Sequence, residues 1–144
     1  MDGQTEQQLI EENIERFRIL YQLHLDNNEP SPTAQFNYAC ALVCSNQRSH
    51  NDTAIYLLDE LVRIRYESEE CFYQLALAHM KRRSFVKSKE YLDRIIALEG
   101  SNQRVMALKS VVVSLLAQDT FMGGLLGATA AFAIILFFTM KRNT

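Results

Sequence analysis

Two cysteines, Cys40 and Cys44, lie four residues apart, which on a helix places both thiols on one face, a turn apart. Thiolates at that spacing could supply half of a zinc site. The other candidate ligands are Cys71 and three histidines, and they supply neither a CxxC pair nor a second half. We therefore expect small side chains on a buried or grooved helix face, with no metal and no cofactor.

No pair of side chains has the spacing of a catalytic dyad. Glu69 and Glu70 are adjacent, so on a helix they point to different sides, and acids suit a helix start. Cys71 and His79 are separated by about 12 Å along a helix, too far for a nucleophile and its base. Phosphate-binding glycine loops and the GxSxG and HExxH motifs are missing from the sequence. The sequence predicts a protein that binds and is not an enzyme.

A run of basic residues is the strongest charge cluster: Lys81, Arg82, Arg83, Lys87 and Lys89. The chain as a whole carries a net charge of −2, and no aromatic residues alternate with these cations, which argues against nucleic-acid binding. Two interpretations remain open. The cluster is either a set of solvated helix ends or a contact for a membrane surface or an acidic partner.

The composition predicts long helices. Among 144 residues there are only 5 glycines and 2 prolines, too few for an all-β domain with many turns. Apolar periodicity is helical almost throughout. It predicts six helices before residue 119, at 6–25, 33–44, 52–64, 69–82, 85–98 and 102–118. We expect Ser31 or Thr33 to cap the second helix, and Asp52 to cap the third after a polar loop over 45–52.

The first predicted helix has a broad apolar stripe, formed by Leu9, Ile10, Ile14, Phe17, Leu20, Tyr21 and Leu25. Its spacing of three and four residues predicts an amphipathic helix with this stripe against the rest of the domain.

Residues 121–140 form an uncharged apolar stretch. As a helix it spans about 30 Å, the thickness of a bilayer core. Only Lys141, Arg142 and two further residues follow it, so we expect a tail anchor with the preceding domain in the cytosol. Gly123, Gly127 and Ala131 recur every fourth residue, a ridge that could support homo-oligomerisation through the tail.

The chain matches itself weakly after a shift of 34 residues, the period of the tetratricopeptide helix–turn–helix. Ala54 then aligns with Ser88, and Leu58 with Leu92. A small residue early in each second helix lets that helix cross its partner closely. The leucines fill the seam, the space between the two helices of one repeat. We therefore predict an all-α fold: a six-helix bundle with two degenerate tetratricopeptide-like repeats plus a C-terminal transmembrane helix. The first and sixth helices are expected to act as caps.

The same register predicts a groove. The first helix of each pair lines the concave face of such stacks, and three pairs of positions correspond there. They are Ala39 with Tyr73, Val43 with Leu77, and Asn46 with Met80. Five of the six are small or apolar, which indicates a surface that a partner segment covers. Residues 1–8, as an arm before the first helix, could compete for it.

Three segments carry a family resemblance: FNYACALV at 36–43, AIYLLDELV at 54–62 and YQLALAHMKRRSFVKSKEYL at 73–92. With the apolar tail, they resemble the mitochondrial fission 1 protein family. The resemblance implies a receptor in the outer membrane of mitochondria, and also of peroxisomes, that acts in organelle division. It also implies that the concave face binds a dynamin-related GTPase or its adaptors. The loop at 45–48 lacks the family's aromatic residue, so partner contacts of that loop are not carried over.

The sequence thus divides into 1–32 (arm and capping helix), 33–118 (repeats and capping helix) and 119–144 (transmembrane tail anchor). The predicted function is a tail-anchored adaptor that recruits division machinery, with the basic residues Lys141 and Arg142 helping to target the tail. The alternative is a tail-anchored co-chaperone or assembly factor that binds peptide segments in the same groove.

Overall fold

The structure, a computed structural model, describes the backbone of residues 3–142 and the side chains of residues 3–123. Within those residues it contains six helices and no strand. They are α1 (Gly3–Asp26), α2 (Pro32–Cys44), α3 (Arg48–Arg63), α4 (Ser68–Lys81), α5 (Phe85–Glu99) and α6 (Gln103–Arg142). The all-α prediction is confirmed.

Each helix packs against the next one along the chain, and α2 also contacts α4. Two helical hairpins, α2 with α3 and α4 with α5, are therefore stacked side by side. α1 covers one end of the stack and α6 the other, because α1 packs against α2 and α6 against α5. This is the arrangement of two tetratricopeptide-like repeats between capping helices.

The seam inside each repeat depends on one small residue. Ala54 on α3 and Ser88 on α5 are both fully buried, as the 34-residue register predicts. The Ser88 hydroxyl donates a hydrogen bond to the carbonyl oxygen of Ala76 on α4, at 2.7 Å. A buried hydroxyl thus finds a partner without separating the two helices. Leu58 and Leu92, also fully buried, fill the seams.

The helix starts agree with the sequence at α2 and differ at α3. Ser31 caps α2, since its Oγ accepts a hydrogen bond from the backbone N–H of Ala34 at 3.1 Å. The prediction that Asp52 caps α3 is wrong, because α3 begins one turn earlier, at Arg48. The reason lies in Asn51, whose amide donates to the carbonyls of Ser45 and Gln47. These bonds hold the predicted polar loop as an additional helical turn.

α1 buries a narrower stripe than its sequence indicates. Ile14 is buried, and Ile10, Phe17 and Tyr21 pack against the core. The other three predicted members, Leu9, Leu20 and Leu25, are exposed. Because α1 lies at the end of the stack and packs against α2, only one side of it is covered.

α6 is one continuous helix of 40 residues. Its first part closes the domain through Val105, Leu108 and Val112, which are buried. Among the described residues, Gln103–Gly123 is long and apolar enough to cross a membrane, with a mean hydropathy of 1.4. Most of the span predicted from the sequence, 121–140, lies outside the described side chains.

Candidate partner-binding face

Three helices run in the same direction and form one side of the molecule. At one end, the Arg104 guanidinium at the start of α6 donates two hydrogen bonds to the Glu70 carboxylate at the start of α4. At the other end, the Lys81 ammonium at the end of α4 donates to the carbonyls of Val43 and Ser45 at the end of α2. The starts of α4 and α6 are thus joined to each other, and so are the ends of α2 and α4. The three helices α2, α4 and α6 are therefore parallel. We call the side they share the α2–α4–α6 face.

The α4 positions predicted to line the groove lie on an accessible surface. Tyr73, Leu77 and Met80 are all partly exposed, packed against the edge of the core. The Arg104 guanidinium stacks on the Tyr73 ring, with its carbon 3.6 Å from the ring centroid. An arginine on an aromatic face is a favourable contact that also leaves much of the ring edge open.

The α2 positions behave differently, and the predicted groove is corrected there. Ala39 is 0% exposed and Val43 is 3% exposed, so neither can contact a partner in this conformation. Asn46 is exposed in the loop after α2. The cause is unequal spacing: α2 packs directly against α4, whereas α4 and α6 do not pack so closely. A shift of 34 residues therefore relates positions with different neighbours.

The accessible strip of α2 is formed by Asn37, Cys40 and Cys44, spaced by three and four residues. With Ile10 and Phe17 of α1 they line a cleft of about 390 Å³. A neighbouring cleft of about 460 Å³ lies between the start of α1 and the loop after α2, where Asn46 is found. The sequence contains a signal for this strip, since Cys40 and Cys44 share a helix face. The 34-residue alignment does not select them.

Two of the three thiols, those of Cys40 and Cys71, are not activated. Burial raises the pKa of Cys40 to about 12, with smaller contributions from Cys71, Cys44 and Glu70. Burial also raises the pKa of Cys71 to about 12. A nucleophilic or metal-binding cysteine needs the opposite shift, toward the thiolate. Within the described residues, no three His, Cys, Asp or Glu side chains are placed to hold a metal ion.

Two further groups have pKa values set mainly by burial. The pKa of His79 is lowered by desolvation and then by the charge of Lys87, so the ring is neutral near pH 7. Desolvation also lowers the pKa of Lys81, against a smaller opposing effect of Cys44. The chemistry that this face offers is contact, through apolar, aromatic and amide groups.

Most of the basic cluster is engaged within the protein. Lys81 bonds to the end of α2, and Arg82 forms a salt bridge with Asp52 at 2.9 Å. Arg83 pairs with Asp119, and Lys89 pairs with Asp93 at 2.7 Å. Lys87 is exposed. These contacts favour the interpretation as helix ends for Lys81, Arg82 and Lys89. Arg83 is paired but its side chain stays largely exposed, as does Lys87.

The tail residues singled out in the sequence fall mostly beyond the described side chains. Gly123 is exposed, and a Cβ atom added there would meet open space. Gly127, Ala131, Lys141 and Arg142 lie outside the residues whose side chains the structure describes.

Comparison with known proteins agrees with this architecture. Residues 69–121 match the family model described as the Fis1 C-terminal tetratricopeptide repeat. The mitochondrial fission 1 protein of Candida albicans is 30% identical over 137 residues, an alignment that covers 90% of this chain and 86% of that protein. The chain belongs to the mitochondrial fission 1 protein family.

Solved structures of Fis1 share the fold. The crystal structure of Saccharomyces cerevisiae Fis1 is 25% identical, covers 75% of this chain and 86% of its own, and superposes with a TM-score of 0.66. Yeast Fis1 in complex with an Mdv1 fragment, containing N-terminal extension and coiled coil domains, is 26% identical, with 74% and 86% covered and a TM-score of 0.64. The resemblance noted in the sequence is thus confirmed.

Proposed function

We propose that this chain is a membrane-anchored adaptor in mitochondrial fission that recruits division machinery through the α2–α4–α6 face. The observation that carries the proposal is the strip of Tyr73, Leu77 and Met80, which stays accessible on a fold shared with Fis1. Yeast Fis1 forms a complex with an Mdv1 fragment, so a fission adaptor or a dynamin-related GTPase is the partner class we infer.

The chemistry of the face favours this function over a co-chaperone or assembly factor. A site that captures peptide termini needs free basic side chains as well as asparagines around the groove. Asn37 and Asn46 are exposed, but two basic side chains of this face are engaged within the protein. Here Lys81 is bonded to the end of α2, and Arg104 is bonded to Glu70. The accessible α4 side chains are apolar or aromatic, as expected for a surface that accepts the apolar side of a partner helix.

We further propose that the apolar part of α6 anchors the chain in the mitochondrial outer membrane, with the domain in the cytosol. The uncharged stretch 121–140 supports this, and anchoring would raise the local concentration of the face at the organelle surface. We also propose that part of the protein lies in the peroxisomal membrane. The tails would associate with one another through Gly123, Gly127 and Ala131.

Leu77→Asp tests the recruiting surface. Because Leu77 is partly exposed, we expect the variant to keep its helix content by circular dichroism. It should recruit a fluorescent dynamin-related GTPase to mitochondria at least about tenfold less well, the scale expected when an interface anchor is lost.

Two matched substitutions separate binding from folding. Leu58→Asp buries an unpaired carboxylate in the core and should unfold the domain. Ala39→Arg should do the same, because Ala39 is fully buried. If Leu77→Asp folds and still recruits normally, this face is not the recruiting surface.

A further inference from the structure

The connection between α4 and α5 lies against α6 immediately before its apolar part. The Arg83 guanidinium donates a hydrogen bond to the Asp119 carboxylate. Arg83, Val86 and Lys87 line a shallow cleft of about 250 Å³ together with Leu116 and Asp119 of α6. Asp119 precedes Phe121 by two residues, about 3 Å along the helix axis. We call Arg83, Val86 and Lys87 the α4–α5 patch.

The charge of this region differs in sign from the rest of the domain. Residues 81–89 contain five basic residues and no acid, whereas residues 1–120 contain 13 basic and 17 acidic residues, a net −4. At the patch itself, the Arg83 side chain is 69% exposed and Val86 is 57% exposed. An exposed valine between two exposed cations combines an apolar contact with positive charge, although Asp119 offsets part of the charge of Arg83.

The position of the patch follows from its contacts with α6. If α6 enters a bilayer near Phe121, Asp119 lies at the level of the lipid headgroups, and Arg83, bonded to it, lies at the same level. α6 is helical without a break through this region, so the patch faces the membrane surface beside the entry point. At that depth an amphipathic contact is favoured, with cations at the headgroups and the apolar side chain toward the acyl boundary.

We propose that the α4–α5 patch binds anionic lipid headgroups and holds the domain against the membrane that α6 enters. The inference rests on the membrane anchoring proposed above. Each lysine or arginine near an anionic surface strengthens binding by about fivefold. An acidic protein surface has similar charge, but the contact of the patch with the last turn before the apolar stretch favours the membrane.

Hydrogen exchange on the full chain, reconstituted in vesicles, tests the proposal. We compare phosphatidylcholine vesicles with vesicles in which roughly one third of the lipid is phosphatidylserine, a surface that attracts basic segments. Backbone amides of residues 83–88 should exchange more slowly on the anionic vesicles, and high salt should remove the difference. The double variant Arg83→Gln with Lys87→Gln should lower the ratio of bound to free patch by at least about fivefold, the effect of losing the Lys87 charge alone, and abolish the slowing.

The matched control is Arg63→Gln with Arg65→Gln, which removes the same charge from two exposed positions, one at the end of α3 and one just after it. If the control variant still shows slowed exchange of residues 83–88 on the anionic vesicles, the result supports the patch. Equal loss in both double variants indicates bulk charge and overturns it. Slowing produced by added polyglutamate but not by anionic lipid assigns the surface to an acidic protein and overturns it. If the chain resists carbonate extraction but residues 83–88 show no slowed exchange, the patch is overturned and the anchor is not. If the chain fails to insert, both the anchor and the patch are overturned.

Discussion

In each repeat, the two helices cross closely because a residue with a small side chain lies at the crossing. Ala54 and Ser88 occupy equivalent places early in the second helices, and both are fully buried. At Ser88 the hydroxyl also reaches the Ala76 carbonyl on the facing helix. The crossing of α4 and α5 therefore depends on both the volume and the polarity of one side chain.

Substitutions at Ser88 should separate these two contributions. Ser88→Ala keeps the volume and removes one neutral hydrogen bond, so we expect it to lower the free energy of unfolding by about 1 kcal/mol. Ser88→Leu forces the helices apart and should cost more, about 1–3 kcal/mol beyond the lost bond. Urea denaturation of both variants measures the difference. Equal losses would show that close crossing is unimportant at this seam.

The three cysteines should differ sharply in reactivity. With pKa values of about 12, Cys40 and Cys71 carry on the order of 10⁻⁴ thiolate at pH 8. Cys44 is exposed. We expect a maleimide to label one thiol rapidly in the folded chain at pH 8, and three in urea. A Cys44→Ser chain that still labels rapidly when folded would contradict this assignment.

At the residue scale, the sequence predicts core positions better than groove positions. Leu58, Ala54 and Ser88 are assigned correctly because packing inside a repeat is the same in both copies. Ala39 and Val43 are misassigned because exposure depends on how closely the next repeat approaches, and periodicity contains no information on that distance.

The ends of α2 and α4 are joined by a single lysine. Lys81 donates to two carbonyls at the end of α2 that have no partner within that helix. A cation is also the charge that the negative end of a helix favours. This contact fixes α4 relative to α2, so it sets the geometry of the α2–α4–α6 face.

Lys81→Met should therefore destabilise the domain by about 1 kcal/mol, a value discounted for the exposure of this side chain. The substitution removes the lysine partner of the Val43 carbonyl, whereas the Ser45 carbonyl still accepts from the Asn51 amide. The matched variant Lys87→Met removes an exposed lysine and should change stability little. Thermal unfolding of the two proteins makes the comparison. If both lose the same stability, net charge and not the helix-end contact is responsible.

At the element scale, helix existence and order were predictable, and one start was not. Ser31 has the side chain, the following proline and the extended backbone of a helix cap. Asp52 has a capping side chain too, yet Asn51 forms hydrogen bonds that extend α3 backward. Local propensity alone cannot weigh these alternatives, since the amide of Asn51 is buried by the rest of the fold.

The whole domain should be complete without the apolar tail. Among the α6 side chains that the structure describes, the buried ones are Val105, Leu108 and Val112, and all precede residue 121. A chain ending at Thr120 should be helical, unfold cooperatively and leave the membrane, as measured by circular dichroism and sedimentation after a salt wash. A chain ending at Asn102 exposes the surface that α6 covers and should unfold or aggregate. Persistent membrane association of the longer truncation would contradict the proposed anchor.

Because one helix both closes the domain and continues into the apolar tail, it would act as a lever about the point where it meets the bilayer. Residues 103–120 form an arm of about 27 Å. A tilt of about 20°, typical of membrane helices, would swing the far end of that arm by about 9 Å. Membrane thickness would then steer the direction in which the recruiting face points, so two organelles with different bilayers could present the same adaptor at different angles.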